Sequence, residues 1–205
     1  MNDETELGDL FSKIVGSIQD HDAAVVEGVQ HIAFSEQKGE VPQYKIVARA
    51  IGADTKTKYT SGKRPDFVHS VADERKVFIE VKCFWPSYFR DENRGGEIKG
   101  FLFGPLLGYK DDGAIALDLP KLVAETPAGA FGGQLIIAGG EPDHGVGRLL
   151  DEYARLAQIS IPPWISFSDA WENPHGKGRW FFLRAFFCWQ EEMGSWWLKI
   201  KHLFE

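Results

Sequence analysis

The chain has 205 residues, enough for one domain with a full core, and its net charge of −7 disfavours a surface that binds nucleic acid in general, which needs clustered Lys and Arg. Hydrophobic residues make up 43% and charged residues 26%, ordinary globular proportions, and no apolar run approaches bilayer-spanning length. The acidic, polar opening, Met1 to Glu6, lacks the basic flank and apolar segment of a secretory signal, so a cytoplasmic protein with no membrane partner is expected. Cys83 and Cys188 lie far apart without histidine pairs at ligand spacing, which argues against a zinc site or a disulfide framework.

In chain order, Leu7, Leu10, Phe11, Ile14, Val15 and Ile18 recur at helical spacing behind an acidic first turn and predict an amphipathic helix over residues 5 to 19. A second helix is expected from Asp22 to Gln37, on the face of Val25, Val29 and Ile32, with Gly39 and Pro42 as its stop. The period then changes. Tyr44 to Ile51, Arg64 to Val71 and Lys76 to Phe84 are rich in β-branched and aromatic residues and read as three strands, the last two a hairpin turned by residues 72 to 75. Residues 85 to 113 show no clear period and predict a long irregular excursion.

Pro120 opens a short helix through Glu125, and Gln134 to Ala138 reads as a buried strand between glycine pairs. Val146 to Leu156 predicts another amphipathic helix and Trp164 to Phe167 a strand. Arg179 to Trp189 with Ser195 to Lys201 predicts an aromatic hairpin near the C-terminus. The expected fold is α/β, a mixed β-sheet flanked by α-helices in a single domain over 1–205. Its core spans about 22–138, and a crossover helix and C-terminal strands fill 139–205.

Charge is unevenly spread. Residues 1 to 44 carry nine acids and two bases, whereas residues 45 to 82 carry nine bases and five acids. Within that basic segment, strand alternation puts Phe78, Glu80 and Lys82 on one face and Val77, Ile79, Val81 and Cys83 on the other. A carboxylate and an ammonium two residues apart on a core strand need compensation, since each buried charge costs several kcal/mol unless paired or metal-bound. Asp66, on the adjacent strand, brings a second carboxylate to the same place. Two carboxylates and the Val81 carbonyl are hard oxygen donors of the kind Mg²⁺ prefers. Such an ion acidifies an attacking water and stabilises charge on a phosphodiester oxygen, a task to which Lys82 adds positive charge.

Arg64-Pro65-Asp66, followed after a hairpin by Phe78-Ile79-Glu80-Val81-Lys82, resembles the signature of the PD-(D/E)XK nuclease superfamily. The resemblance implies a restriction-endonuclease-like sheet of four mixed strands flanked by helices, with Mg²⁺ or Mn²⁺ as cofactor. It casts Asp66 and Glu80 as metal ligands, the Val81 carbonyl as a further ligand and Lys82 as the catalytic lysine. Members often place a glutamate on the helix before the first core strand, and Glu27 is the matching residue here. It covers residues 22 to 138 and leaves the aromatic C-terminal third without a family match.

Plainer readings stand beside this one. Glu80 and Lys82 would form an exposed ion pair on a solvated sheet face, Asp66 would bond a local turn, and Glu27 would lie on a solvated helix face. His31, His69 and His144 stand singly and receive no role. Lys63 and Arg64 are either phosphate contacts or solvated strand-end charge, and Trp85, Tyr88 and Phe89 either stack bases or pack the core. Aromatic residues after 179 close the core or a dimer interface. Glycines 132, 133, 139 and 140 match no phosphate loop. The expected function is a metal-dependent DNA endonuclease of restriction, repair or phage-defence type, with DNA as partner and a homodimer or partner protein offsetting the acidity. The alternative is a catalytically inactive module of the same fold that binds protein or serves as a scaffold.

Overall fold

Two helices lead into a mixed β-sheet in the computed structural model, which describes residues 3–37, 40–59, 61–84, 121–122, 124–139, 164–166, 171–172, 174–175 and 180–189. Helix α1 spans Asp3–Val26 and buries Leu7, Leu10, Phe11, Ile14, Val15, Ile18 and Val25, the three-and-four spacing of a single apolar face. Gly28, with φ of 76°, ends it. The Val29 amide reaches the Ala24 carbonyl at 2.8 Å and the Gly28 amide reaches that of Val25 at 3.0 Å, the paired bonds of a Schellman stop.

The second helix expected over 22 to 37 is therefore absent. Its first residues continue α1, and Val29 and Ile32 are 69% and 51% exposed rather than forming a buried face. Asp22 accepts the Phe34 amide at 2.8 Å instead of opening a new helix. Gln43 donates to the Phe34 carbonyl at 3.2 Å, so two buried polar side chains hold Phe34, fully buried, in the core.

The strand expected over Tyr44 to Ile51 is also wrong: helix α2 spans Glu40–Ala50. Tyr44, Val47, Ala48 and Ile51 lie three, four and seven apart, and all pack on the core while Lys45 and Arg49 face water. Pro42, expected to stop a helix, sits in the first turn of α2, where its missing N–H has no helical acceptor to lose.

Strand β1 (Phe67–Ser70) pairs antiparallel with β2 (Lys76–Phe84), Phe67 against Ile79, as the hairpin reading expects, but it is shorter than Arg64 to Val71 and leaves Asp66 one residue ahead of the strand. The connection at Ala72–Glu74 is a 3-10 turn in which Asp73 and Glu74 take positive φ. Arg75, just after it, donates to the buried Glu6 of α1 at 2.8 Å and ties the hairpin turn to the helix.

Strand β3 (Phe131–Gly139), longer at both ends than expected, runs parallel to β2 with Glu80 beside Gln134. Strands β4 (Trp164–Ser166) and β5 (Trp171–Glu172) pair with β6 (Trp180–Trp189), which pairs in turn with β3. The sheet order β1-β2-β3-β6-β4 makes the aromatic segment part of the main sheet. This is a mixed α/β fold. The excursion over 85 to 113, the helix over 146 to 156 and the second hairpin arm over 195 to 201 lie outside the described residues.

Register divides the sheet into two faces. Val77, Ile79 and Val81 join Phe67, Phe131, Leu135, Ile137 and Leu183 in one core beneath α1 and α2. Phe78 and Glu80 alternate to the other face.

Candidate functional site

The β1–β2 register, extended by one residue beyond Phe67 and Ile79, sets Asp66 against Glu80. The Asp66 carboxylate, half-buried, accepts the backbone amide of Val81 through Oδ2 at 2.7 Å, so it reaches across the hairpin. Glu80 is only 4% exposed, which rules out the solvated ion-pair reading for this residue. Asp66 and Glu80, two of the four expected ligands, thus meet at the backbone of Val81, whose amide is held by Asp66.

Glu80 is held by groups the sequence does not flag. Its Oε1 accepts the Tyr59 hydroxyl at 2.8 Å and the Lys121 ammonium at 2.5 Å. Tyr59 stacks on Phe78, rings 5.5 Å apart and 21° from parallel, and Lys121 lies 5.4 Å from the Tyr59 ring centroid. The loop before β1 delivers Tyr59. Asp54 pairs with Val68 in an isolated bridge and accepts from the Lys56 amide and the Thr57 hydroxyl, bonds that hold its carboxyl below the usual range, the Thr57 hydroxyl first. A tight turn then closes from the Tyr59 amide to the Lys63 carbonyl at 2.9 Å, with Gly62 at positive φ.

Backbone at 121, 122, 124 and 125 is helical, in keeping with the short helix expected after Pro120. That segment is anchored to the Tyr59 turn. Glu125 accepts the Ser61 hydroxyl at 2.7 Å and lies 3.6 Å from the Lys63 ammonium.

Electrostatically the pocket is tense. Burial pushes the Glu80 carboxyl up to about 7. The hydrogen bond from Lys121 pulls it down, the negative charge of Asp66 pushes it up again, and the charge of Lys121 and the Tyr59 hydroxyl favour the anion. Burial, then the charge of Glu80, raises the Tyr59 hydroxyl and keeps it a donor.

The donor chemistry fits a hard divalent cation. Asp66 and Glu80 are oxygen donors at the same end of the β1–β2 pair, and Glu80 carries a desolvated charge that a nearby cation relieves. Among the described residues no three His, Cys, Asp or Glu side chains group as a cage, so the Val81 carbonyl and water would complete the shell. Glu27, the fourth expected ligand, lies in the exposed turn that follows α1, and the helix directly before β1 is α2. Lys82 stands two residues beyond Glu80 in β2, paired with Ile136, and its side chain lies outside what is described.

No family model, curated protein or solved structure matches the chain. Among the described residues no helix is long and apolar enough to cross a membrane.

Two polar partners of Glu80 and one buried polar neighbour escaped the sequence reading. Tyr59 and Lys121 sit 21 and 41 positions from Glu80 and belong to no local pattern. Gln134 carried a signal, a polar residue inside an apolar run, and it is fully buried beside Glu80 in the β2–β3 register.

Proposed function

We propose that this protein is a divalent-metal-dependent nuclease of the PD-(D/E)XK type, with a restriction-endonuclease-like core, acting on DNA as an endonuclease. The observation that carries the reading is the Asp66 carboxylate bonded to the amide of Val81, next to a buried Glu80 that feels its charge. They support a shared site for the two acids of the motif, one on β2 and the other one residue ahead of β1. Asp66, Glu80 and the Val81 carbonyl would hold Mg²⁺ or Mn²⁺, and Lys82, next along the strand, is assigned to the reacting phosphate. The bound ion would supply an acidified water and stabilise negative charge on the phosphodiester.

Substrate contact is assigned to the loop beside the site. Lys56, Lys58, Lys63 and Arg64 are all exposed there and surround the Tyr59 turn with no acid between Lys56 and Arg64. A homodimer would join two such strips and offset the net charge of −7.

The second reading, an inactive protein-binding or scaffold module, draws on a specific contact: Lys121 already neutralises Glu80. Cleavage separates the two. Supercoiled plasmid is incubated with Mg²⁺ or Mn²⁺ and wild type, Asp66→Ala or Lys82→Ala. The nuclease reading expects nicking by wild type that both substitutions abolish and chelator suppresses. Equal nicking by all three proteins, or none by any, would end it.

A further inference from the structure

We propose that Lys121 is a resident counter-cation of the site, seated on the Glu80 carboxylate beside Tyr59, which an incoming divalent ion must displace, so that metal loading and lysine release are one exchange. This deepens the nuclease reading and rests on it only for the identity of the incoming ion.

The first argument is occupancy. One oxygen of Glu80, Oε1, takes both the Lys121 ammonium at 2.5 Å and the Tyr59 hydroxyl at 2.8 Å. A divalent ion bound to that carboxylate would stand next to the ammonium, and like charges that close repel strongly wherever water is excluded.

The second is charge balance. With both carboxyls ionised, Asp66 and Glu80 with Lys121 leave one negative charge at the metal-free site. Adding a divalent ion with the lysine in place would reverse that to one positive charge. Exchange of one cation for the other ends at neutrality.

The third is which partner can leave. The Glu80 side chain is 5% exposed on a central strand, whereas that of Lys121 is 26% exposed and reaches solvent by turning its flexible stem. Glu125, bonded to Ser61, keeps the helical segment docked on the Tyr59 turn, so the ammonium can withdraw without that segment undocking.

The test is Mn²⁺ binding, read from the electron paramagnetic resonance signal of free Mn²⁺, on the full chain as wild type, Lys121→Met, Lys121→Arg and Asp66→Asn. Removing the competitor is expected to tighten Mn²⁺ binding about tenfold, equivalent to about 1.4 kcal/mol, while arginine keeps near wild-type affinity. Lys121→Gln, which retains a hydrogen-bond donor for Glu80, carries the same expectation if the methionine variant does not fold. Equal or weaker binding by the neutral variants overturns the exchange. The nuclease reading then survives if Asp66→Asn abolishes wild-type binding. No Mn²⁺ bound by wild type or any Lys121 variant overturns both.

Discussion

The two faces of strand β2 carry opposite burdens. On one, Val77, Ile79 and Val81 are fully buried beneath α1 and α2, and their work is the hydrophobic stabilisation that holds the sheet to its helices. On the other, the equally buried Glu80 is desolvated against a second carboxylate, with Tyr59 and Lys121 as partial relief. Neighbouring residues of one strand thus stabilise the fold and strain it, and burial of a charge beside a like charge is an arrangement that clusters at functional sites.

Adjacent substitutions divide the burdens most sharply. Glu80→Ala is expected to reduce plasmid cleavage by about a thousandfold, the scale on which charge-stabilising groups act in catalysis, while the fold persists by circular dichroism. Ile79→Ala, one residue away, is expected to cost about 2 to 5 kcal/mol in urea unfolding, because it opens a cavity in the main core. Reversed effects would erase the distinction between the faces.

The next effect is on the pH dependence of stability. The folded Glu80 carboxyl, near 7, lies above its unfolded value of 4.5, so the folded protein holds the proton more tightly. Its contribution is fully present below about 4.5 and is lost as pH rises through about 7, up to about 3 kcal/mol over that window. In chelator, Glu80→Gln is expected to flatten this fall relative to wild type. Parallel profiles for the two proteins would show that the carboxyl is not strained.

The smallest effect belongs to the rim. The Lys63–Glu125 pair spans 3.6 Å with the lysine side chain 70% exposed, so Lys63→Ala is expected to change stability by less than about 0.5 kcal/mol. Its effect should instead appear as weaker DNA binding with a shallower salt dependence. A large stability loss there would mean that the rim, too, bears on the fold.

How legible each face was in the sequence follows from the range of the interactions that build it. Alternation along Lys76 to Phe84 and the short turn at 72 to 75 are local, and both the hairpin and the meeting of Asp66 with Glu80 could be read from them. Helix α2 was misread because β-branched and aromatic residues outweighed the spacing of Tyr44, Val47, Ala48 and Ile51, where packing against the core decides. The helix expected after Asp22 failed because one left-handed glycine, Gly28, closes α1 with its own bonds. Tyr59 and Lys121 were out of reach: chain folding alone brings them to Glu80, one by the Asp54 and Gly62 turns and the other from the crossover between the parallel strands.

The most direct test is a crystal structure of the protein grown with Mn²⁺, with the ion located by its anomalous scattering. The account predicts a single strong peak between the Asp66 and Glu80 carboxylates, with the Lys121 ammonium withdrawn from Glu80. A peak elsewhere, or no peak with Lys121 still bonded to Glu80, would contradict it.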